Sequence, residues 1–385
     1  MQVRLALLGL LGRLSLSAVL AWCTACAGTG IVPWKAPTTR DTKDDPASVR
    51  PGHCSTELPF WSPLTAAEAD ALRAVAAARS GDARALASLA IMASGDRRAA
   101  ADYQTIHERI DRFVSEVRPS VEGAQDDWHR GYELHRAMHR VLFKSQGNGL
   151  DRYELNQSRL TTIFDTNRYN CISSAMLFTV LARNFSMPVR GVSVPTHAFS
   201  QLDLPDGKVL EIETTSNTGF DHVHDERFYR EGAAQWSSSR GLAPVTFEQY
   251  QGRKLLEPYQ LMALGMLNQA ALLQGKAQAR LGEAAAFVDP RNNEAARMRL
   301  QLYVNEADEL QKRGAANTTV KLFECVKPAI QETAQLWAKD SLAMRLSAWA
   351  AWYYADALAV VGRGQHAVAI ARTCLLYTSP SPRDS

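Results

Sequence analysis

The apolar pattern of residues 170–215 limits the possible folds more than any other feature of the chain. Residues 171–183 place apolar side chains at helical spacing, and Asn170 before them is a favoured N-cap residue. Residues 189–204 then alternate as one strand, the segment PDGK at 205–208 is a hairpin signal, and residues 209–215 alternate as the returning strand. A helix that leads into an antiparallel hairpin predicts an α+β fold rather than a doubly wound sheet.

Helical patterns flank this central segment on both sides. Residues 63–149 predict an N-terminal helical region, which opens with a capping box formed by Thr65 and Glu68. Residues 251–373 are helical again, starting at Pro258. Within them, residues 281–295 resemble the junction of two tetratricopeptide units, and residues 348–371 resemble a helix pair that turns at residues 362–364. We therefore expect a C-terminal helical-repeat segment, with irregular spacing between its units.

Both ends of the chain differ from the body. Residues 1–25 combine Arg4 and Arg13 with a short apolar stretch at 14–22 and then small residues, which predicts an export signal. Cys26 follows Thr24 and Ala25 as in a bacterial lipobox, so membrane attachment by lipidated Cys26 and ordinary cleaved secretion are both open. Residues 26–62 predict a flexible linker, and the Ser/Pro-rich end at 374–385 predicts a non-native tail. The expected location is the periplasm or the cell envelope.

Charge and cysteine content narrow the function further. Lys and Arg number 43 against 40 Asp and Glu, a net charge of +3, which is too small to argue for nucleic acid as a partner. Of the six cysteines, two lie at the export signal and one in the tail, which leaves Cys54, Cys171 and Cys325. Only Cys171 stands at a predicted helix start, where unpaired amides and the helix dipole favour a thiolate.

His197 and Glu213, which both follow Cys171 in the sequence, complete a set of groups that suits nucleophilic catalysis. His197 lies on the predicted strand that follows the helix, and Glu213 lies on the returning strand. A thiol, an imidazole and a carboxylate are the parts of a nucleophile that is activated by an oriented base. Cys171, His197 and Glu213 are therefore the candidate catalytic residues.

The register of the hairpin decides whether this set can assemble. A two-residue turn would point His197 and Glu213 to opposite faces of the sheet. A three-residue turn, in which the numbers of each pair of facing residues add up to 412, places them on one face as diagonal neighbours. We therefore predict a three-residue turn or a bulge. Glu211 shares the face of Glu213 but lies farther from His197, so it is the weaker candidate.

These motifs resemble the core of the transglutaminase-like superfamily, whose members have a papain-like arrangement of Cys, His and Asp. The resemblance rests on NCISSA from Asn170, on LAR at 181–183 with PVRGV at 188–192, on PTHAF at 195–199 and on IETT at 212–215. It implies a papain-like core over residues 150–250 and, residue by residue, Cys171 as the nucleophile, His197 as the base and Glu213 as the orienting carboxylate. Glu213 stands where the family usually has Asp, Thr214 where Pro is usual, and Phe199 where Trp is common.

The resemblance also implies an activity and its partners. A peptide or protein amide would be attacked by the thiol to form a thioester, and water or an amine would resolve it, which describes a peptidase or amidase in the first case and a transglutaminase in the second. No cofactor and no metal are expected. The bacterial subgroup that it resembles joins such a core to tetratricopeptide helices, which predicts a protein partner on the C-terminal helices.

Three alternatives stay open on the sequence alone. His135 and His139, four residues apart, or His222 and His224 could bind a metal, although neither pair has a third ligand nearby. Cys54 and Cys325 could form a disulfide or stay unpaired. The whole chain could also be a binding protein without chemistry, which presents a peptide-binding surface on its helices.

Overall fold

The computed structural model describes residues 55, 57–96, 99–146, 150–221, 226–227, 229 and 245–378. The predicted export signal and most of the predicted linker lie outside these residues. The predicted tail at 374–385 continues the last helix as far as Thr378, and its remainder also lies outside. Among the described residues, no helix combines the length and the apolar character needed to cross a bilayer.

Helices form the N-terminal part of the described chain, as predicted. Thr65 caps the first helix and Asp126 caps the fifth, each by accepting a hydrogen bond from a backbone N–H in the first turn. A π-helical turn, Met138–Phe143, directly follows the fifth helix. The helices are α1 (Ala66–Arg73), α2 (Val75–Arg79), α3 (Ala83–Ala93), α4 (Ala100–Glu122) and α5 (Asp127–Ala137).

The central part contains two helices and an antiparallel sheet, which confirms the α+β prediction. Helices α6 (Leu160–Thr166) and α7 (Cys171–Asn184) precede strands β1 (Val189–Val194), β2 (His197–Asp203) and β3 (Val209–Ile212). A short helix α8 (Phe247–Gln251) and strand β4 (Lys254–Leu256) follow. The strand order is β3-β2-β1-β4, and each neighbouring pair is antiparallel.

The prediction of one strand over residues 189–204 was wrong. The chain turns sharply at Pro195 and Thr196, so Val194 pairs with His197 and the segment forms a hairpin of its own. Thr196 has a left-handed φ of 67°. Because this turn has no Gly or Asn at its centre, it lacks the usual sequence signal of a two-residue hairpin. His197 therefore opens the second strand after α7 instead of lying within the first.

The sheet separates two apolar clusters. Ala198, Leu202 and Leu210 belong to the main core, which they share with α7 and the N-terminal helices. Val192 and Phe199, which lie on the opposite side of the pleat, pack with aromatic residues of the segment after β3, including Tyr250. Helix α7 is buried along almost its whole length, and this fixes its N-terminus firmly against the sheet.

The C-terminal part is helical, as predicted. Its helices are α9 (Pro258–Ala271), α10 (Gly275–Val288), α11 (Asn293–Lys312), α12 (Ala316–Leu336), α13 (Ser341–Val360) and α14 (Gly364–Thr378). Pro258 occupies the first turn of α9, where its missing N–H costs no hydrogen bond. Helices α9 and α10 join the main core, whereas α11 to α13 enclose a separate cluster that also holds Trp61.

The end of the predicted linker is part of the folded body. Leu58, Phe60 and Trp61 are buried, and the backbone N–H groups of Trp61 and Ser62 donate to the Glu283 carboxylate at 3.0 and 2.9 Å. The apolar residues of this short Pro-containing segment follow neither the helical nor the strand period. Their burial could therefore not be predicted from hydrophobic periodicity. Residues 58–62 therefore belong to the folded part and not to a tether.

Candidate functional site

Cys171 occupies the first position of α7, where the sequence places it. The Asn170 side chain accepts a hydrogen bond from the Ser173 N–H at 3.0 Å, and the Ser173 hydroxyl accepts one from the Asn170 N–H at 2.9 Å. The Asn170 amide also donates to the Leu155 carbonyl and the Ser158 hydroxyl. These bonds hold the N-cap to the first turn of α7 and to residues 155–158. Cys171, which is 7% exposed, therefore lies at a rigid helix N-terminus, and the positive end of the helix dipole points toward its sulfur.

The hairpin between β2 and β3 has the predicted three-residue turn. Ser200 pairs with Ile212 and Asp203 with Val209, so the paired numbers sum to 412. The turn consists of residues 205–207, and Gly207 takes a left-handed φ of 81° that suits glycine. This register brings His197 and Glu213 to one face of the sheet.

His197 and Glu213 are in direct contact. Nε2 of His197 lies 2.5 Å from Oε2 of Glu213, and both side chains are largely buried. Glu211, the weaker candidate, is buried beside Gln201 and is engaged elsewhere. The Tyr250 hydroxyl donates to it, and Arg253 forms an ion pair with it at 3.2 Å.

The Cys171 thiol lies close enough to His197 to contribute to the raised pKa of its ring. The three predicted residues are therefore brought together in the order thiol, imidazole, carboxylate.

The electrostatics of the pair favour a charged imidazole. Burial alone would lower the pKa of His197, but the charge of the Glu213 carboxylate, the hydrogen bond that His197 donates to it and the nearby Cys171 thiol outweigh burial and raise that pKa well above 6.5. Burial likewise works to raise the pKa of Glu213, and the charge and hydrogen bond of His197 together with Thr215 lower it below 4.5. An ionised carboxylate next to an imidazolium is thus the favoured state at neutral pH.

The loop after β3 fixes the free oxygen of the carboxylate. Oε1 of Glu213 accepts from the Thr215 N–H at 3.0 Å and from the Thr215 hydroxyl at 2.6 Å. The Glu213 N–H donates to the Gly219 carbonyl at 2.9 Å, and a Cβ at Gly219 would lie 2.5 Å from the Glu213 carbonyl oxygen. The carboxylate therefore has little freedom to rotate away from His197.

A second connection joins this loop to the helix that carries Cys171. The Thr214 and Ser174 hydroxyls form a buried hydrogen bond at 2.8 Å, and the Ser174 hydroxyl also donates to the Cys171 carbonyl at 3.2 Å. Thr214, which departs from the family's usual Pro, thus replaces a rigid ring with a hydroxyl that contacts α7. Phe199, which departs from the usual Trp, is buried, and its ring centroid lies 6.2 Å from that of His197.

Sequence reasoning missed Thr215, Ser174 and Gly219 as supports of the site. Thr215 could have been found, because a hydroxyl two residues after a carboxylate commonly closes a local hydrogen bond. Ser174 acts through a contact with Thr214, forty residues later, and Gly219 through the close approach of its backbone to Glu213; neither contact has a sequence signal.

The other candidate sites of the sequence do not form a metal centre within the described chain. No group of three His, Cys, Asp or Glu residues able to hold a metal occurs among the described residues. His135 and His139 are buried next to one another, and His222 and His224 lie outside the described residues. Cys171 is a free thiol, and Cys325 is disulfide-bonded. A surface groove of about 350 Å³ between α4 and α6 includes none of the three site residues.

Comparison with known proteins gives a match to a family model, and it covers the segment that contains the candidate site. No curated protein and no solved structure matches the chain. The matched segment, residues 104–234, begins inside α4 and contains α7, β1, β2 and β3, which position Cys171, His197 and Glu213. The family model is that of the transglutaminase-like superfamily, so the chain contains a transglutaminase-like domain.

Proposed function

We propose that this protein is an exported thiol enzyme that acts on amide bonds of peptides or proteins through Cys171, His197 and Glu213. The observation that carries the proposal is the direct contact of the His197 ring with the Glu213 carboxylate at 2.5 Å, with the Cys171 thiol close enough to contribute to the raised pKa of the same ring. The match to a transglutaminase-like domain supports it, because that superfamily contains thiol enzymes with this set of groups.

In the proposed reaction the charged His197 already holds the proton that the Cys171 thiol gives up, and it acts first as acid and then as base. The Cys171 sulfur bonds to the amide carbonyl carbon, and the carbonyl electron pair moves onto oxygen. When this oxyanion collapses, the C–N bond breaks and the amine leaves with the proton from His197. Neutral His197 then takes a proton from water, or from a second amine, as it adds to the thioester carbon, and the C–S bond breaks to restore the starting pair of Cys171 and His197.

Each supporting residue has a defined part in this scheme. The Cys171 N–H at the start of α7 has no helical acceptor and is the first donor for the developing oxyanion. Glu213 orients the imidazole and stabilises its positive charge, as the raised pKa of His197 requires. Thr215 holds the carboxylate in place through two hydrogen bonds.

Export to the periplasm or cell envelope is part of the proposal. It rests on the basic and apolar pattern of residues 1–25 and on Cys26 as the lipidation site. The disulfide at Cys325 supports it, because structural disulfides persist in oxidising compartments. In cell fractionation we expect the protein in the envelope fraction and expect Cys26→Ser to release it; wild-type protein found in the cytosol would contradict export.

A second candidate function is a non-catalytic scaffold that binds a protein through its C-terminal helices. The observation that favours it is the exposure of Trp349 and Trp352 on α13, the latter 53% exposed, with Leu336 exposed on α12. A surface with several exposed large apolar side chains suits a protein partner. Under this alternative Cys171 would be dispensable.

Turnover assays separate the two functions. Purified protein is incubated with casein and a fluorescent primary amine, and both peptide release and amine incorporation into casein are followed. We expect one of the two signals in the wild type and a loss of at least about 1000-fold in Cys171→Ala. Equal signals in wild type and Cys171→Ala would refute the thiol mechanism and leave the scaffold function.

A further inference from the structure

Two buried hydrogen bonds join the chain around the candidate nucleophile to the loop that carries the candidate carboxylate. After Cys171 in the sequence, the Ser174 hydroxyl bonds to the Thr214 hydroxyl at 2.8 Å. Before Cys171, the Tyr169 hydroxyl donates to the Thr215 carbonyl at 3.2 Å. These four residues are at most 2% exposed. We call the two bonds the clamp, because they lie on either side of Cys171 and end on adjacent residues of one loop.

Both ends of the clamp are attached to groups of the candidate site. The Ser174 hydroxyl also donates to the Cys171 carbonyl at 3.2 Å, so the Thr214 hydroxyl is the donor in the bond between the two hydroxyls. On the other side, the N–H and the hydroxyl of Thr215 donate to Oε1 of Glu213 at 3.0 and 2.6 Å. A displacement of the clamp would therefore move the residue that carries the sulfur relative to the carboxylate.

Helix α7 needs a directional contact of this kind. Along most of its length it packs through apolar side chains such as Ala175, Met176 and Leu181. Apolar packing is non-directional, whereas a hydrogen bond requires a particular distance and angle. Because a misplacement of about 1 Å can cost about 100-fold in rate, the clamp supplies a constraint that packing alone does not.

Stability alone does not account for the two hydroxyls of the Ser174–Thr214 bond. Replacing both partners of a buried hydrogen bond by apolar groups of the same shape can be nearly neutral for folding. Thr179 in the same helix shows the contrast, because it is also 0% exposed and its hydroxyl has no hydrogen-bond partner among the described residues. Pro, which is usual in the family at position 214, would have no hydroxyl to donate, so this bond is a feature of this chain.

We propose that the three hydroxyls of Tyr169, Ser174 and Thr214 are positioning groups that hold the thiol and the carboxylate of the site at a fixed separation. Activation of Cys171 by His197 depends on this separation, because the imidazole must serve both groups at once. The inference deepens the proposed function and rests on it. The three hydroxyls act through the backbone of Cys171 and the loop after β3 and take no part in bond formation.

Matched substitutions separate positioning from packing. Thr214→Val removes the hydroxyl and keeps the shape, whereas Thr214→Ser keeps the hydroxyl. Thr179→Val makes the same change at the unpartnered hydroxyl of α7 and is the control. Tyr169→Phe removes the other hydroxyl of the clamp, and Tyr303→Phe, in the separate C-terminal cluster, is its control.

The first readout is the rate of Cys171 alkylation by iodoacetamide near neutral pH, with the modified peptide identified by mass spectrometry and folding of each variant checked by urea unfolding. We expect about tenfold slower alkylation in Thr214→Val and in Tyr169→Phe, and rates within about twofold of the wild type in Thr214→Ser and both controls. A wild-type rate in either Thr214→Val or Tyr169→Phe would overturn the inference. Equal losses in Thr179→Val would also overturn it, since they would indicate general loosening.

A double-mutant cycle tests whether the two hydroxyls act through their shared bond. Ser174→Ala should slow alkylation about as much as Thr214→Val, and the double variant should lose no more than about twofold beyond either single variant. Losses that multiply in the double variant would show that the hydroxyls act independently and would overturn the inference.

The second readout is the pKa of His197, measured by NMR with ¹³C-labelled histidine, and it does not depend on the reactivity of the thiol. We expect Thr214→Val and Tyr169→Phe to lower this pKa by about one unit, a tenfold change in the imidazolium equilibrium, and expect the control variants to leave it unchanged. If wild-type Cys171 reacts no faster than an ordinary cysteine, the proposed function fails. The His197 pKa then decides on the clamp alone, and an unchanged value in Thr214→Val and Tyr169→Phe would overturn it.

Discussion

The buried histidines make a specific prediction about stability in acid. When the pH falls from about 7 to about 4.5, an unfolded histidine gains a proton near 6.5, but His135 and His139 stay neutral down to about 4 and about 2. The folded state therefore loses stability relative to the unfolded state across this range. The loss is about 2.5 kcal/mol for each ring and so about 5 kcal/mol for the pair.

The catalytic pair does not cancel this loss. The pKa of His197 is raised, so its contribution to stability is complete below 6.5 and is lost only as the pH rises through its folded value. The pKa of Glu213 is lowered, so its contribution is present above 4.5 and is lost only as the pH falls through its folded value. Neither group weakens the fold between about pH 6.5 and 4.5. The loss in this range therefore comes from the buried histidines, to which His107, whose burial lowers its pKa to about 4, adds a further contribution.

Urea unfolding followed by tryptophan fluorescence at several pH values measures the effect. We expect the free energy of unfolding to fall steeply below about pH 6.5, and we expect His135→Gln to remove about 2.5 kcal/mol of this pH dependence. His129 on the same helix, exposed and paired with Asp126, is the matched control, and His129→Gln should retain the full dependence. Wild-type stability that is flat or rising toward about pH 4.5, or an unchanged dependence in His135→Gln, would refute the reasoning.

Three further predictions concern Gly219, the Glu213 carboxylate and the state of the cysteines. Gly219→Ala should destabilise the fold by about 1–3 kcal/mol in urea unfolding, because its Cβ would lie 2.5 Å from the Glu213 carbonyl oxygen. Gly364→Ala, which has open space around it, should cause no such loss, and equal losses in the two variants would contradict the close approach. Glu213→Gln should lower the pKa of His197 in NMR titration, and Glu211→Gln should leave it unchanged; the reverse order would assign the orienting role to the wrong carboxylate. Peptide mapping without reductant should recover Cys325 in a disulfide and Cys171 as a free thiol. A disulfide at Cys171 would contradict its proposed role, because a disulfide-bonded sulfur is not a nucleophile.

Much of the site could be predicted from the sequence because its parts are local. A helix N-cap at Asn170, an alternating hairpin and a Pro-Asp-Gly turn are patterns of adjacent residues, and each has a physical preference for one structure. The hairpin register followed from the requirement that His197 and Glu213 share a face, and the pairing of Ser200 with Ile212 confirms it.

The parts that escaped prediction depend on contacts between distant segments. The turn at Thr196 carries a left-handed β-branched residue, which local propensity disfavours and the surrounding sheet imposes. The burial of Trp61 depends on Glu283, more than two hundred residues later in the chain. The i, i+4 spacing of His135 and His139 suggested a metal pair, but the fold buries both rings beside Phe220 and Phe143, and within the described residues no third ligand joins them.

The rate of Cys171 alkylation near neutral pH tests the central claim most directly. If His197 and Glu213 activate the Cys171 thiol, the wild-type protein should react with iodoacetamide at about pH 7 at least about tenfold faster than His197→Gln and Glu213→Gln, and Glu211→Gln should react at the wild-type rate. A wild-type rate no higher than that of His197→Gln would contradict the account.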